Sequence, residues 1–464
     1  MNQPTHTLAT STSSGLERDA RQHSAGTVND PGQIALGVII GRSSEFFDFF
    51  VYCIASVLVF PQLLFPGESA IVGTIHSFFI FSLAFIARPI GSLVFMTVDR
   101  RYGRGTKLTV AMFLLGGSTA AMAFLPSFDS AGMFAIYLLC VLRFTQGLAL
   151  GGAWDGLASL LALNAPDNRK GWYAMMPQLG APLGFILASS LFAYLILTLS
   201  PEDFLAFGWR YAFFVAFAIN VVALFARLRL VATSEFGSLL EKNELQAVRV
   251  RDTIRHHGRT VLLGALVPLV SYALFHLVTV FALSWVVLYT PANPGQFLLT
   301  QGVGAVLCAL GIIASGFIAD QIGRRRLLGY SAAIIAVGAL LTPLLYAYNI
   351  INEGMIVLGG FAVLGLCFGQ AAGTLASNFK REYRYTGSAL TSDLAWLLGA
   401  GFAPLIALLL CVAYGPIGVG AYLLSGAAVT LLVLHFNKQF GQKNTDLLIF
   451  PYVKRNTPGS HLPG

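Results

Sequence analysis

Seven ionisable side chains stand deep inside long apolar stretches of this 464-residue chain: Arg42, Glu45, Asp48, Arg88, Arg143, Asp155 and Asp393. Each costs about 2.5–3.5 kcal/mol at the middle of a membrane on an insertion scale, so seven left unpaired amount to roughly 20 kcal/mol. They must pair, face water or exchange protons. Arg42, Glu45 and Asp48 are spaced by three and climb one helix within two turns. Two carboxylates stacked in this way ionise together only at a cost, so the pair is suited to take up and release a proton as a unit. Alternatively, Arg42 and Glu45 close a bridge that merely holds the helix against a neighbour. Arg143 and Asp155, about 18 Å apart along one helix, cannot pair directly. Arg143 has the planar fork to hold a substrate carboxylate, or Glu45 or Asp48, in a bidentate contact. Asp155 could serve a proton, a gate or a substrate. Arg88, followed by Pro89, is a candidate anchor, and Asp393 could cap a loop, neutralise an arginine or move a proton. Tyr52, Tyr272, Tyr289 and Trp396 are candidates for lining a cavity. His76 and His276 are read as satisfied core histidines rather than proton relays.

The elements that must position these groups are membrane helices. Of the chain, 56% is apolar and 11% charged, against about 25% charged in a soluble domain. With a mean hydropathy of +0.72, this excludes a soluble globular protein, a disordered chain and a nucleic-acid-binding module, despite the net charge of +8. Spanning takes roughly 20 apolar residues per helix, and the pattern predicts 12 spans: 33–60, 69–95, 108–126, 131–163, 172–198, 207–228, 260–290, 296–319, 328–349, 354–378, 388–412 and 416–437. Around them the expected organisation is a polar tail (1–31), a first six-helix bundle (32–228), a central loop (229–259), a second six-helix bundle (260–438) and a second tail (439–464). The first tail lacks the apolar run of a cleaved signal peptide.

Charge placement sets the expected topology. Of 29 Lys and Arg, all but Arg42, Arg88, Arg143 and Arg210 fall in the tails, at span ends, or in alternate loops. The six loops on the other side carry only acidic charges, such as Glu68, Asp129 and Glu353. The positive-inside rule then puts both termini in the cytoplasm. Glycines spaced by four, as in Gly147/Gly151 and Gly180/Gly184, let helix backbones approach closely. Pro177, Pro182, Pro268, Pro343 and Pro404 mark expected kinks. The five cysteines lie in apolar segments with no metal or disulfide spacing. There is no P-loop, nucleophile elbow or His-Glu-x-x-His, so no enzyme and no ATP-driven pump is expected.

The chain also repeats itself. Asp99-Arg-Arg-Tyr-Gly-Arg104 follows the second span and Asp320-Gln-Ile-Gly-Arg-Arg-Arg326 the eighth, with Gly103 and Gly323 at the same place in each half. Two parallel halves in one chain are a transporter pattern. The loop Gly316-Phe-Ile-Ala-Asp-Gln-Ile-Gly-Arg-Arg-Arg326 resembles the signature loop of the major facilitator superfamily. Glu45-Phe-Phe-Asp-Phe-Phe-Val-Tyr52, Ala87-Arg-Pro-Ile-Gly91, Arg143-Phe-Thr-Gln-Gly147, Gly151-Gly-Ala-Trp154, Gly208-Trp-Arg210 and Arg384-Tyr-Thr-Gly387 resemble its metabolite:proton symporters. The first-half loop differs by one extra residue between Asp99 and Gly103, and Phe95 stands where a glycine is usual.

The resemblance implies an all-α integral membrane protein with two pseudo-symmetric six-helix bundles and alternating access, in a bacterial inner (plasma) membrane. It implies no cofactor, the proton gradient being the energy source. Its partners would be a small-molecule substrate, protons and the lipid bilayer, with no nucleic acid and no metal, and the expected state is a monomer. Glu45, Asp48 and Asp155 are then candidates for proton coupling, and Arg42, Arg143, Tyr52 and Asp393 for substrate binding. Arg88, Asp99, Arg104, Asp320, Gly323 and Arg324 are candidates for gating. The leading expectation is proton-coupled uptake of a small organic acid (mono-, di- or tricarboxylate). The alternatives are uptake of a zwitterion such as an amino acid or betaine, and a non-transporting membrane sensor of the same fold. Asp320 is expected to accept hydrogen bonds from a helix N-terminus in the opposite bundle, and Asp99, with the extra residue, to do so less well.

Overall fold

A computed structural model describes residues 31–153, 161, 165–166, 168–231, 247–372 and 379–436. These residues are helical, with no strand among them. The first half supplies α1 (Pro31–Leu58), α2 (Ala70–Tyr102), α3 (Arg104–Met122), α4 (Met133–Gly152), α5 (Lys170–Thr198) and α6 (Pro201–Phe225). The second supplies α7 (Leu269–Tyr289), α8 (Pro294–Ile322), α9 (Arg324–Ala347), α10 (Glu353–Ala371), α11 (Arg384–Tyr414) and α12 (Pro416–Phe436). Ten of these are long and apolar enough to cross a membrane. The other two, α1 and α3, are more polar for readable reasons. Every 18-residue stretch of α1 contains Arg42, Glu45 and Asp48, and α3 opens on Arg104 and Lys107.

The halves are built alike. In the first, α2 packs on α4, α5 on α1 and α6 on α3; in the second, α8 packs on α10 and α9 on α12. The glycine spacing has the expected use. A side chain at Gly147 or Gly151 would overlap the α2 backbone at Ala84 and Arg88, and one at Gly180 or Gly184 would overlap α1. Across the halves, α5 lies along α8, and α2 meets α11.

The two repeated loops share a geometry. Gly103 and Gly323 adopt φ of 84° and 89°, a region that disfavours any side chain. Each ends one helix and starts the next: Gly103 N–H donates to Asp99 C=O and Gly323 N–H to Ala319 C=O, both at 3.0 Å.

One expected boundary differs. The helix Val250–Leu266 straddles the expected end of the central loop and runs into α7 across Pro268. It forms because the segment is amphipathic: Thr253, Val261, Gly264 and Ala265 are buried while Arg249, Arg251, Arg255 and Arg259 are exposed. Short π-turns interrupt α7 at Leu277–Phe281 and α11 at Leu397–Gly401. Such turns are frequent at functional sites, and here they follow His276 and Trp396 directly.

Candidate functional site

Between the halves lies a small cavity of about 50 Å³, lined by Arg42, Glu45, Arg88 and Arg143 with aromatic walls that include Phe49 and Trp396. Three arginines therefore face it with one carboxylate. A larger cavity of about 390 Å³ lies within the second half between α7, α9, α10 and α12. Its walls are nearly all apolar, its Glu353 carboxylate accepts the Tyr346 hydroxyl at 2.9 Å, and none of Arg42, Glu45, Asp48, Arg88, Arg143 and Asp393 lines it.

The charges at the small cavity are not equivalent. Arg42 Nη1 closes on Glu45 Oε2 at 2.6 Å, the bridge that the spacing by three allowed. Asp48 does not join them. Two steps of three residues turn a side chain by about 120° around a helix, and Asp48 accordingly points into the first half. There it accepts from Thr119 Oγ1 at 2.6 Å and Asn220 Nδ2 at 3.1 Å. The expectation that the three share one face is corrected in this respect.

Arg143, 1% exposed, also lacks the bidentate carboxylate partner foreseen among Glu45 and Asp48. It donates to Gln146 Oε1 at 3.0 Å and Phe81 C=O at 3.3 Å, and its guanidinium lies 3.8 Å from the centre of the Tyr52 ring. Its Nη2 has no partner among the described residues. Gln146 in turn donates to Thr119 at 2.8 Å, so Arg143 and Asp48 are joined through two neutral side chains. Tyr52 lies beneath Arg143, outside the lining of the cavity.

His276 differs from its expected role as a satisfied core residue. It is wholly buried, and neither ring nitrogen has a partner among the described residues. Its ring meets Phe49, Phe81, Phe85 and Phe275 edge-on at centroid distances of 5.3–5.6 Å. A buried polar group left unpaired costs about 1–3 kcal/mol, and Arg143 and His276 both bear that cost. Trp396 stacks on Tyr272 at 4.4 Å, whereas Tyr289 lies apart against Trp285.

Arg88 and Asp393 pair across the halves, Nε to Oδ1 at 2.8 Å, and Ser92 donates to the other oxygen of Asp393. Thus Asp393 is held by the anchor arginine. Asp155 lies outside the described residues.

At the end carrying the basic loops, two junctions close the halves together. At the α8–α9 junction, Asp320 accepts Gly171 N–H at 2.6 Å and Trp172 N–H at 3.1 Å, both at the start of α5. Arg324 donates to Gln370 Oε1 at 3.0 Å, and Gln370 Nε2 donates to Gly171 C=O at 3.1 Å. At the α2–α3 junction, Asp99 lies 3.5 Å from Arg104 Nε and 3.7 Å from Lys107 Nζ, and accepts the Tyr385 hydroxyl at 3.2 Å. Lys107 Nζ donates to the same hydroxyl at 2.7 Å, and Arg104 lies 4.3 Å over the Tyr385 ring.

Ser92, Lys107, Thr119, Gln146, Asn220 and Gln370 were absent from the expected site. Gln146 could have been found from its place one turn after Arg143, within the quoted Arg143–Gly147 motif. Lys107 lies within the same basic loop as its partner Asp99 and could have been found there; the rest answer to partners tens to hundreds of residues away and carry no local signal.

Two helical halves, a central charged cavity and paired junctions at one end are the features of a membrane carrier. The chain belongs to the Major Facilitator Superfamily, which it matches over residues 46–404. It is 34% identical over 413 residues to the inner membrane metabolite transport protein YhjE of Escherichia coli (strain K12), covering 88% of this chain and 94% of that one. It is 30% identical to the shikimate transporter of the same organism, covering 86% and 92% of the two chains. Among solved structures, a D-xylose-proton symporter superposes with a TM-score of 0.65 at 16% identity, covering 88% and 97%. That likeness concerns the fold. The protein is a multi-pass membrane transporter and not an enzyme.

Proposed function

We propose that this transporter takes up a small organic acid, driven by protons, across a bacterial inner membrane. The observation that carries the reading is the charge balance of the central cavity. Glu45 is occupied by Arg42, and Asp393 by Arg88, while among the described residues Arg143 has only neutral acceptors and rings. A substrate carboxylate supplies the missing counter-charge and takes the open Nη2. Asp48, joined to Arg143 through Thr119 and Gln146, is placed to carry the coupling proton, with Glu45 as the second candidate and Asp155 a third. In this reading α1 and α3 also cross the membrane, giving 12 spans with both termini cytoplasmic. Asp99, Arg104, Asp320, Gly323 and Arg324 form the cytoplasmic gate, and Arg88 with Asp393 its deepest layer. The chain acts as a monomer without cofactor.

A zwitterion is the second reading. Aromatic walls can hold a quaternary ammonium by cation–π attraction. Here Arg42 already lies 5.0 Å over Phe46 and Arg88 5.8 Å over Trp396, so those faces are taken by cations.

The test is uptake into proteoliposomes with an imposed proton gradient, using radiolabelled mono-, di- and tricarboxylates and betaines. Arg143→Lys replaces a planar fork by a point charge and should raise KM for the acid about tenfold with a smaller change in maximal rate. Asp48→Asn should abolish accumulation while leaving counterflow. Gradient-driven accumulation by a well-folded Asp48→Asn protein removes the proton role, and carriage of betaines alone removes the acid.

A further inference from the structure

We infer that His276 is the second half's substrate ligand, and that the group it reads is a hydroxyl, so that the substrate class is hydroxy-carboxylates. The inference rests on the proposed carboxylate contact at Arg143. Among the described residues, Arg42 Nε, the Tyr52 hydroxyl and Arg143 Nη2 in the first half and both imidazole nitrogens of His276 on α7 in the second are buried without a partner near the centre of the protein. Arg143 and His276 share the ring of Phe81, whose centre lies 5.1 Å from the guanidinium and 5.4 Å from the imidazole.

His276 stands directly behind the cavity. Phe49, Phe85 and Trp396 line that cavity on one side and pack against the imidazole on the other. At about 50 Å³ the cavity holds little more than water, so these rings must shift to admit a substrate. Their movement uncovers His276. Both His276 and Trp396 immediately precede π-turns, where the backbone departs from regular helix and can re-aim a side chain.

The chemistry of the imidazole selects the partner. A neutral ring offers one donor and one acceptor. A carboxylate can use only the donor, and an ammonium only the acceptor. A hydroxyl can use either, and adjacent hydroxyls can use both. An acid anchored at Arg143 and carrying hydroxyls on its body thus satisfies Arg143 and His276 together, linking the two halves through the substrate.

The test uses pairs of acids that differ by a hydroxyl: malate and succinate, citrate and tricarballylate, 3-hydroxybenzoate and benzoate. Uptake by the full chain in proteoliposomes should favour the hydroxylated member of a carried pair by about tenfold or more in KM. His276→Leu should erase that preference, raising KM for the hydroxylated acid about tenfold and leaving its partner within about twofold. His276→Gln, which keeps a donor and an acceptor, should retain part of it. Equal effects of His276→Leu on both members, no effect on either, or no preference in the unmodified protein overturns the inference.

A second arm needs no substrate. His276→Cys, in a background without the five native cysteines, should react with N-ethylmaleimide in the membrane. A cysteine that reacts only after denaturation overturns the placement of His276. Carriage of betaines but no acid overturns the Arg143 reading and the substrate class with it, whereas failed labelling removes His276 alone.

Discussion

The α8–α9 and α2–α3 junctions descend from the same sequence pattern and close the halves by different chemistry. At α8–α9, a carboxylate accepts two backbone N–H groups at the start of α5, where the helix dipole also favours negative charge. At α2–α3, the corresponding carboxylate sits between Arg104, Lys107 and the Tyr385 hydroxyl, and takes no backbone N–H from the described residues. The cause is a register of one residue. The capping glycine bonds to the carbonyl four positions back in both loops, and that position is Asp99 in one and Ala319 in the other. Asp320 stands one residue further on, where the first loop has Arg100. One residue is a turn of about 100° around the helix, enough to aim a side chain elsewhere. Arg100 instead donates to Val248 C=O, in the segment between the halves. An insertion of one residue thus converts a backbone latch into a side-chain cluster, backed more deeply by the Arg88–Asp393 pair.

The largest effect is expected at that deep pair. Asp393→Asn leaves Arg88 facing a neutral group, and breaking a buried pair typically costs about 3–5 kcal/mol. The thermal midpoint in detergent should fall, and a cysteine probe in the central cavity should become reactive from the basic-loop end. Asp320→Asn comes next. Hydrogen bonds to a charged acceptor contribute about 1.5–3 kcal/mol, of which the amide oxygen keeps part. Transport should slow about tenfold, since a loss of about 1.4 kcal/mol is a factor of ten, with a gain in accessibility from the same end. Asp99→Asn should stay within about threefold by this measure, because its contacts with Arg104 and Lys107, at 3.5 and 3.7 Å, are longer and weaker than those of Asp320. Equal effects of the two substitutions remove the asymmetry.

The register itself can be moved. Asp99→Ala combined with Arg100→Asp puts a carboxylate where Asp320 stands in its loop, and should make the cavity less reactive from the basic-loop end by a few-fold. No change there shows that the insertion is not the cause. The smallest effect belongs to Tyr385→Phe, which keeps the ring under Arg104 and removes the hydroxyl between Lys107 and Asp99. Uptake should change about twofold, and a larger loss would make this hydroxyl a principal tie, contrary to its place among several neighbours.

The helical architecture was legible because hydropathy marks it directly, and the repeat because its glycines need a rare backbone angle. The contact of Asp320 with the opposite half was legible from charge and helix polarity. The partners of Asp48 were not. Spacing by three suggests a shared face, but each step of three falls about 60° short of a full turn, and Thr119 and Asn220 lie on other helices. The unpaired state of His276 was equally hidden, since sequence displays a residue and not its missing neighbours. Helix Val250–Leu266 was obscured by its charges, which read as a loop until their one-sided exposure is known.

The chain of groups between Arg143 and Asp48 has a direction fixed by its ends. Arginine can only donate and a carboxylate can only accept, so the Gln146 amide and the Thr119 hydroxyl must both point their donors towards Asp48. A proton on Asp48 can turn that polarity around, each group handing its donor the other way. The Gln146 amide would then present N–H groups to a guanidinium that needs acceptors, and Arg143 would turn to an incoming carboxylate instead. Proton and substrate would thereby sense each other through two rotating neutral groups, with no ion crossing the gap between them.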